Sequence, residues 1–204
     1  MDYKKKSRDS FNKQAWTYDE DFNSEHARKI YNHIIKATGN LDGKKILDVG
    51  CGTGNVLKML HDKYREAQLY GIDISEKMLE KAKVKLQDNA DLILGDSENL
   101  PYSNSSFDVI ICNDSFHHYP NPEGVLREFN RVLKDGGIFI LGDCWQPLIT
   151  RNIMNFLLKL NLMNCGDVKM YSEKEICSML SLNKFRHIDF NLVNDRTYLV
   201  KSVK

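Results

Sequence analysis

The sequence predicts an α/β protein, with seven strands in one mostly parallel sheet, the last of them antiparallel, and helices on both faces. Three observations carry this reading. Short β-like runs alternate with amphipathic helical stretches from about residue 44 onward. The run at 107–113 is mostly apolar, as a central parallel strand buried on both faces must be. The last two runs, 185–193 and 196–203, are joined only by Asn194-Asp195, and so short a link forces antiparallel pairing.

Each element has its own local reason. Residues 24–38 read as a helix whose apolar face holds Ala27, Ile30, Tyr31, Ile34 and Ile35, with Gly39 as its stop. A first strand at 44–49 runs into a glycine-rich turn and then a helix at 55–64 carrying Val56, Leu57 and Leu60. A second strand at 68–74 is closed by Asp73. Ser75 caps the next helix, whose buried side holds Met78, Leu79, Ala82 and Leu86. The third strand is 91–95 and the fourth 107–113. Asn121 and Pro122 stand at the cap and first-turn positions of a helix through Val125, Leu126, Phe129 and Val132, which stops near Gly136-Gly137. The fifth strand is 137–142. Ser172-Glu173-Lys174-Glu175 matches a capping box that opens a last helix before the terminal hairpin. The stretch 144–171 is less regular. Its apolar helix at 153–163 reads as a lid packed on the domain rather than a membrane-contacting segment.

A chain of 204 residues with 42% hydrophobic content fits one domain with a modest appendage. Within it, residues 1–40 read as an N-terminal helical lid, 44–143 as the ligand-binding core, 144–171 as a second lid segment and 172–204 as a C-terminal helix and hairpin. Lys and Arg total 29 against 28 Asp and Glu, so no bulk charge draws the protein to nucleic acid or an anionic membrane. The five cysteines, Cys51, Cys112, Cys144, Cys165 and Cys177, are odd in number and include no Cys-x-x-Cys pair. That pattern points away from a disulfide framework or zinc site and fits a reducing cytoplasm. Met1-Asp2-Tyr3-Lys4-Lys5-Lys6 is not a secretory signal, and no uncharged apolar run suits a membrane span. A monomer or homodimer acting on a small molecule is expected, with no nucleic acid partner and no stable membrane anchoring.

The chemistry centres on Asp48-Val49-Gly50-Cys51-Gly52-Thr53-Gly54. A helix N-terminus offers unpaired N–H groups and partial positive charge, and glycines let the backbone approach a ligand closely. Anionic groups dock on such a turn. Asp73 at the end of the next strand suits the two hydroxyls of a ribose. Asp96, just past the third strand, stands where an adenine amino group can be read. Each feature has a plain structural alternative: a strand-to-helix connection, a cap, a turn in Gly95-Asp96-Ser97. Together, in this order and spacing, they describe an adenosine site. Cys51 stands near a helix N-terminus, a position that lowers a thiol's pKa. It nevertheless reads as a small loop residue with no chemistry of its own.

Residues Ile46 to Gly54 resemble the first motif of the class I S-adenosylmethionine-dependent methyltransferases. Gly71-Ile72-Asp73-Ile74-Ser75 resembles their acidic second motif, and the stretch from Gly95 to Tyr102 their third. Ser106-Phe107-Asp108-Val109-Ile110 and Leu133-Lys134-Asp135-Gly136-Gly137 are similar to the small-molecule branch that includes ubiquinone and menaquinone biosynthesis enzymes. Phe11 to Asp19, with Ala15, Tyr18 and Asp19, resembles an N-terminal segment of that branch. The resemblance spans about residues 44–143 and implies a Rossmann-like fold, S-adenosylmethionine as cofactor and S-adenosylhomocysteine as product. It implies that Gly50, Cys51, Gly52 and Gly54 surround the methionine part and that Asp48 helps orient its ammonium, which Asn113 also approaches. It places Asp73, with Ile74 beside it, on the ribose, and Asp96 with the Ser97 backbone on the adenine.

Methyl transfer from such a donor is an in-line displacement, so the protein must align the acceptor and exclude water. A general base helps when the acceptor is a hydroxyl or a protonated amine. His117 and His118, after the fourth strand at the carboxyl edge of the sheet, are the catalytic candidates. They suggest no metal site, because spacing places no third ligand. Trp16, Tyr18 and Trp145 are candidates for the acceptor pocket, with Phe22, Met154 and Met163 behind them. Two rivals stand beside this reading. An NAD-dependent dehydrogenase needs a glycine where the loop has Asn55, and a second nucleotide-binding half where the chain has a hairpin. A non-catalytic scaffold that binds the cofactor or a partner protein is compatible with the same motifs. Adenine-amino DNA methylation is disfavoured, since Asn113-Asp114-Ser115-Phe116 lacks the prolines that chemistry's motif carries.

Overall fold

Alternating strand and helix signals resolve into one sheet. The computed structural model describes residues 2–20, 25–163 and 166–204. The strands are β1 (Lys45–Val49), β2 (Gln68–Asp73), β3 (Asp91–Leu94), β4 (Phe107–Asn113), β5 (Leu133–Cys144), β6 (Arg186–Leu192) and β7 (Thr197–Val203). Their order is β3-β2-β1-β4-β5-β7-β6. Strands β1 to β5 pair in parallel, while β7 lies antiparallel between β5 and β6. The order reverses between β1 and β4, which opens a crevice at their carboxyl ends where ligands bind in such sheets.

Side-chain alternation along the strands builds two cores. Leu47, Ile110 and Phe139 face one side, under helices α5 (Pro122–Val132) and α7 (Glu173–Leu182). Ile46, Ile111 and Ile140 face the other, under α2 (Glu25–Ala37), α3 (Asn55–Lys63) and α4 (Glu76–Leu86). The apolar face expected on α2 is buried at Ile30, Ile34 and Ile35. Ser24 and the side chain of Ala27 lie outside the described residues. Ser75 caps α4 through Met78 N at 3.1 Å. Gly54 caps α3 in the left-handed region at φ +78°, and a Cβ there would meet Leu86 at 2.8 Å and Ala82 at 3.2 Å. That glycine lets α3 and α4 pack closely, and it lines no part of the cleft described below.

Three elements depart from the expectation. Helix α5 ends at Val132, short of Gly136-Gly137, because Ser105 N and Ser106 N take the carbonyls of Arg131 and Val132 at 2.9 and 2.7 Å. Chain pairing therefore starts at Leu133 opposite Phe107, and Gly136, at φ +75°, sits in the bulge before Ile138 pairs with Val109. Helix α6 (Leu148–Lys159) begins earlier than expected and is not a packed lid. Only Leu158 on it is fully buried, while Leu148, Ile149, Ile153 and Phe156 are exposed. The helical lid expected over residues 1–40 begins with a helix of its own, α1 (Tyr3–Gln14), whose bounds neither apolar period nor glycine punctuation announced. Asp2 caps it through Lys5 N at 2.9 Å. Asn12 anchors it on α4, accepting from Ser75 Oγ at 2.7 Å and Lys77 N at 3.2 Å.

At α7 both halves of the capping box form: Ser172 Oγ accepts from Glu175 N at 3.3 Å, and Ser172 N donates to Glu175 Oε2 at 2.8 Å. Ser172→Ala is expected to cost about 1 kcal/mol and lower the melting temperature by about 2–4 °C. Thermal unfolding followed by circular dichroism checks this, and an unchanged melting temperature would deny the cap its role. Among the described residues, no helix is long and apolar enough to cross a membrane, and Cys51, Cys112, Cys144 and Cys177 are free thiols.

Candidate functional site

The glycine loop is fixed from beneath. Gly50 N and Cys51 N both donate to Ile72 O, at 2.8 and 3.1 Å, tying the turn to β2. Gly50 has φ +72°, and a Cβ there would strike Ser115 Oγ at 2.5 Å, so only glycine fits between β1 and the turn after β4. Asp73, at the end of β2, accepts from Gly52 N and from Ser75 N, each at 2.8 Å. Its carboxylate therefore braces the loop while still facing the crevice. Burial raises its pKa against the pull of those backbone N–H groups.

A cleft of about 740 Å³ opens over this loop. Gly50, Gly52, Asp73 and Ile74 form one wall, with Asp96 and Ser97 beyond them and Asn113 at the switch point. Met78 and Pro120 add apolar surface, and Tyr18 and His118 also line the cleft. A smaller recess of about 310 Å³ on the same loop is lined by Asp48, Cys51, Thr53, Asn55 and Asn113, and shares Tyr18, Gly50 and Gly52 with the cleft. Asp48 Oδ1 and Asn113 Oδ1 are both buried and lack a hydrogen-bond partner. Two unsatisfied acceptors beside one recess make a strong attraction for a cation bearing several N–H groups. Burial first, and the nearby Asp73 second, push the Asp48 carboxyl up to about 8.

Most sequence-identified residues converge here, but Trp16, Trp145, Gly54, His117, Met154 and Met163 do not. Trp16 is 65% exposed and lies under Lys81, whose Nζ is 5.0 Å from its ring centre. Trp145 packs against the core beneath α5 and α7, away from the cleft. Gly54 belongs to helix packing. Met154 and Met163 line neither cavity, and Phe22 lies outside the described residues. Cys51 is buried, and burial drives its thiol well above the ordinary range, opposite to the effect of a helix N-terminus.

The histidines divide their roles. Both sit in a 3₁₀ turn, Phe116–His118, reached through Asp114 at φ +52°. His117 donates from its backbone N to Asp143 Oδ2 at 3.0 Å and from Nδ1 to Asp143 Oδ1 at 2.5 Å. Burial is the largest single influence and opposes its charge, but Asp143 and Cys144 together outweigh it and hold the imidazole well above its ordinary pKa. His117 does not line the cleft. His118 does, and burial together with the charge on His117 lowers it to about 4. A buried imidazolium and a weakly basic neutral ring are poor general bases at neutral pH.

Sequence reasoning expected a helical lid over residues 1–40 but assigned no α1 side chain to the cleft. Helix α1 lays Lys4, Ser7 and Phe11 along it. Lys4 Nζ meets Asp96 Oδ2 at 2.7 Å and Glu98 Oε1 at 3.0 Å, while Asp96 Oδ1 accepts from Glu98 N. The Phe11 ring stands edge-on to His118 with centres 5.0 Å apart. Asp19 accepts from Thr53 Oγ1 at 2.6 Å and Asn55 Nδ2 at 2.9 Å, and pairs with Lys85, which also reaches Asn55. The only sequence signal for these contacts is the N-terminal segment containing Phe11, Tyr18 and Asp19. Asn55, which breaks the dinucleotide pattern, joins this brace by donating to Asp19 and accepting from Lys85.

Residues 40–188 match the methyltransferase domain family. A demethylmenaquinone methyltransferase from Thermotoga maritima is 35% identical over 129 residues, covering 62% of this chain and 56% of that protein. A second enzyme of that name, from Staphylococcus epidermidis, is 34% identical and is covered over 52% of its length. The chain thus spans about half the length of the curated relatives it matches. Among solved structures, a chain from the Haloferax volcanii complex of a methyltransferase activator with a methyltransferase superposes with a TM-score of 0.83 at 19% identity, covering 97% of this chain and 96% of that one. Phosphoethanolamine N-methyltransferase 2 of Haemonchus contortus, in complex with S-adenosyl-L-methionine, gives a TM-score of 0.72 at 15% identity, covering 85% of this chain and 52% of that one. At these identities the structures show a shared fold.

Proposed function

The chain belongs to the methyltransferase domain family of class I S-adenosylmethionine-dependent enzymes, and from that premise we propose that it transfers the methyl group of S-adenosylmethionine to a small-molecule acceptor. The observation that carries the reading is the pair of orphaned buried acceptors, Asp48 Oδ1 and Asn113 Oδ1, beside the glycine loop. The cofactor's ammonium answers both. Asp73 has lone pairs left for a ribose diol after bracing Gly52 and Ser75. Asp96 and Ser97 lie where the adenine edge falls, and Ile74 and Met78 offer apolar surface to its face.

When bound, the cofactor supplies a methyl on a sulfonium, an already activated donor. The chain's own residues then hold and enclose the reactants. Asp48 and Asn113 orient the ammonium end, and Asp73 fixes the ribose. Helix α1, tied by Lys4 to Asp96 and Glu98, excludes water from the cleft. Tyr18, Phe11 and His118 present ring surface on the acceptor side, which suits a flat or partly apolar small molecule. The names of the curated relatives support a quinone-like ring as the acceptor class.

Purified protein is expected to bind S-adenosylmethionine and to show little affinity for NAD, measured by titration calorimetry. Tight NAD binding would overturn the family-based reading. Incubation with isotope-labelled cofactor and a metabolite extract, read by mass spectrometry, is expected to label a small molecule. Cofactor binding with no labelled product would favour the non-catalytic scaffold.

A further inference from the structure

A cluster of ligand-type atoms lies behind the cleft and is not used by the cofactor. His117 Nε2 is 3.7 Å from Asp167 Oδ1, and His118 Nδ1 is 3.3 Å from the same oxygen. The three ligand atoms lie within 4.8 Å of one another. A metal with bonds near 2.0–2.2 Å sets its ligand atoms about 3–3.5 Å apart, and the two histidine-to-carboxylate distances are already close to that spacing. His118 Nδ1 is buried and has no hydrogen-bond partner, an unusual state for a ring nitrogen in a folded core.

Asp167 does not meet the histidines by chance. Val168 N and Lys169 N both donate to His117 O, at 2.9 and 3.2 Å, which ties its segment to the histidine turn. From the other side, the Gly166 Cα faces the α1 backbone so closely that a Cβ would lie 3.2 Å from Ser7 Cα. Asp143 holds His117 at Nδ1, leaving Nε2 directed at Asp167. A carboxylate on the far nitrogen of a ligating histidine is the usual outer support of a metal site.

We propose that His117 Nε2, His118 Nδ1 and Asp167 Oδ1 form a three-ligand site for a divalent transition metal of the zinc or iron(II) class, with Asp143 as the positioning residue. The metal displaces the proton from His117 Nε2 into solvent, and two neutral imidazoles and one carboxylate then match the donor preference of those ions and leave coordination positions open. Magnesium and calcium, which take oxygen ligands, fit poorly. His118 also lines the cleft, so an open position is within reach of an anionic acceptor oxygen, such as that of an enol or phenol. That acceptor assignment rests on the methyl-transfer reading, whereas the metal site does not.

The test is metal titration of the full chain, stripped of metal and without cofactor. Equilibrium dialysis against Zn(II), read by elemental mass spectrometry, is expected to give one ion per chain. Co(II) is expected to give visible d–d absorption from nitrogen and oxygen ligation. Asp167→Asn and His118→Gln, each checked for folding by circular dichroism, are expected to lower Zn(II) affinity at least tenfold. Less than half an equivalent of Zn(II) on the unaltered chain overturns the site, as does equal affinity in the unaltered chain and both variants, the result exposed histidines would give. If either variant fails to fold, the stoichiometry and Co(II) spectrum of the unaltered chain decide. Calorimetry with S-adenosylmethionine on the same metal-free sample tests the cofactor reading separately, so either can fail alone.

Discussion

Asp73→Ala is expected to weaken S-adenosylmethionine binding at least tenfold. Its carboxylate serves two structures at once. It accepts from Gly52 N and Ser75 N at 2.8 Å each, and it faces the cleft where a ribose diol would donate. Hydrogen bonds to a charged group contribute about 1.5–3 kcal/mol each, and about 1.4 kcal/mol is a factor of ten in affinity. Alanine removes the ribose contacts and releases the loop whose shape the remaining contacts require. Asp73→Asn helps separate the two effects, since its amide keeps one acceptor oxygen but loses the charge. Calorimetry on both variants checks the prediction, with circular dichroism to establish that each is folded. Affinity equal to the parent for the alanine variant would remove Asp73 from the binding site.

Asp48→Asn is expected to raise the stability of the cofactor-free protein, increasingly so toward pH 8. In the unfolded chain this carboxyl ionises near 3.8, and in the folded chain only near 8, because it is buried and has Asp73 as a neighbour. The folded state therefore binds the extra proton across that window. Stability linked to this group is fully present below about pH 4, falls as pH rises, and levels off above the folded value. The slope is about 1.4 kcal/mol for each pH unit within the window. Asparagine carries no such dependence. The melting temperatures of parent and variant should lie close together at pH 4 and separate progressively to pH 8, with the variant higher. A constant difference across that range would show that Asp48 is not held protonated. The cofactor reverses the sign of the comparison. An ammonium beside Asp48 favours the carboxylate, so binding at pH 7 should release a proton, visible as a dependence of the calorimetric enthalpy on buffer, and the asparagine variant should bind more weakly without that release.

How much of this site is legible in the sequence depends on the separation of the partners. Gly50, Gly52 and Asp48 belong to one strand-turn-helix unit, whose chemistry is local. Asp73 follows one helix later, and parallel pairing of β1 with β2 brings its strand end to the loop. Lys4 gave no such signal. Helix α1 has a weak apolar face, with only Ser7 buried on it, and its position depends on Asn12 at the start of α4 and Lys4 on Asp96. Asp143 was equally hidden. It reaches His117 because Asn113 pairs with Gly142, so the turn after β4 runs beside Asp143 near the end of β5. Trp16 and Trp145 misled for the opposite reason. Large aromatic rings suit a pocket by composition, but the fold leaves one in solvent and packs the other on the core.

By itself the sequence determined the alternating architecture, the terminal hairpin and the glycine loop with Asp73 beside it. Each rests on periodicity, on glycine's freedom at a sharp turn, or on a cap, and these act over a few residues. The tertiary structure alone decided where α5 stops and how much of α6 remains exposed. It also decided which α1 side chains reach the cleft and that Asp167 joins the two histidines. Those outcomes depend on strand register and on which surfaces meet across long stretches of chain. No local pattern encodes such meetings, because their free energy comes from groups that are neighbours only after the chain has folded.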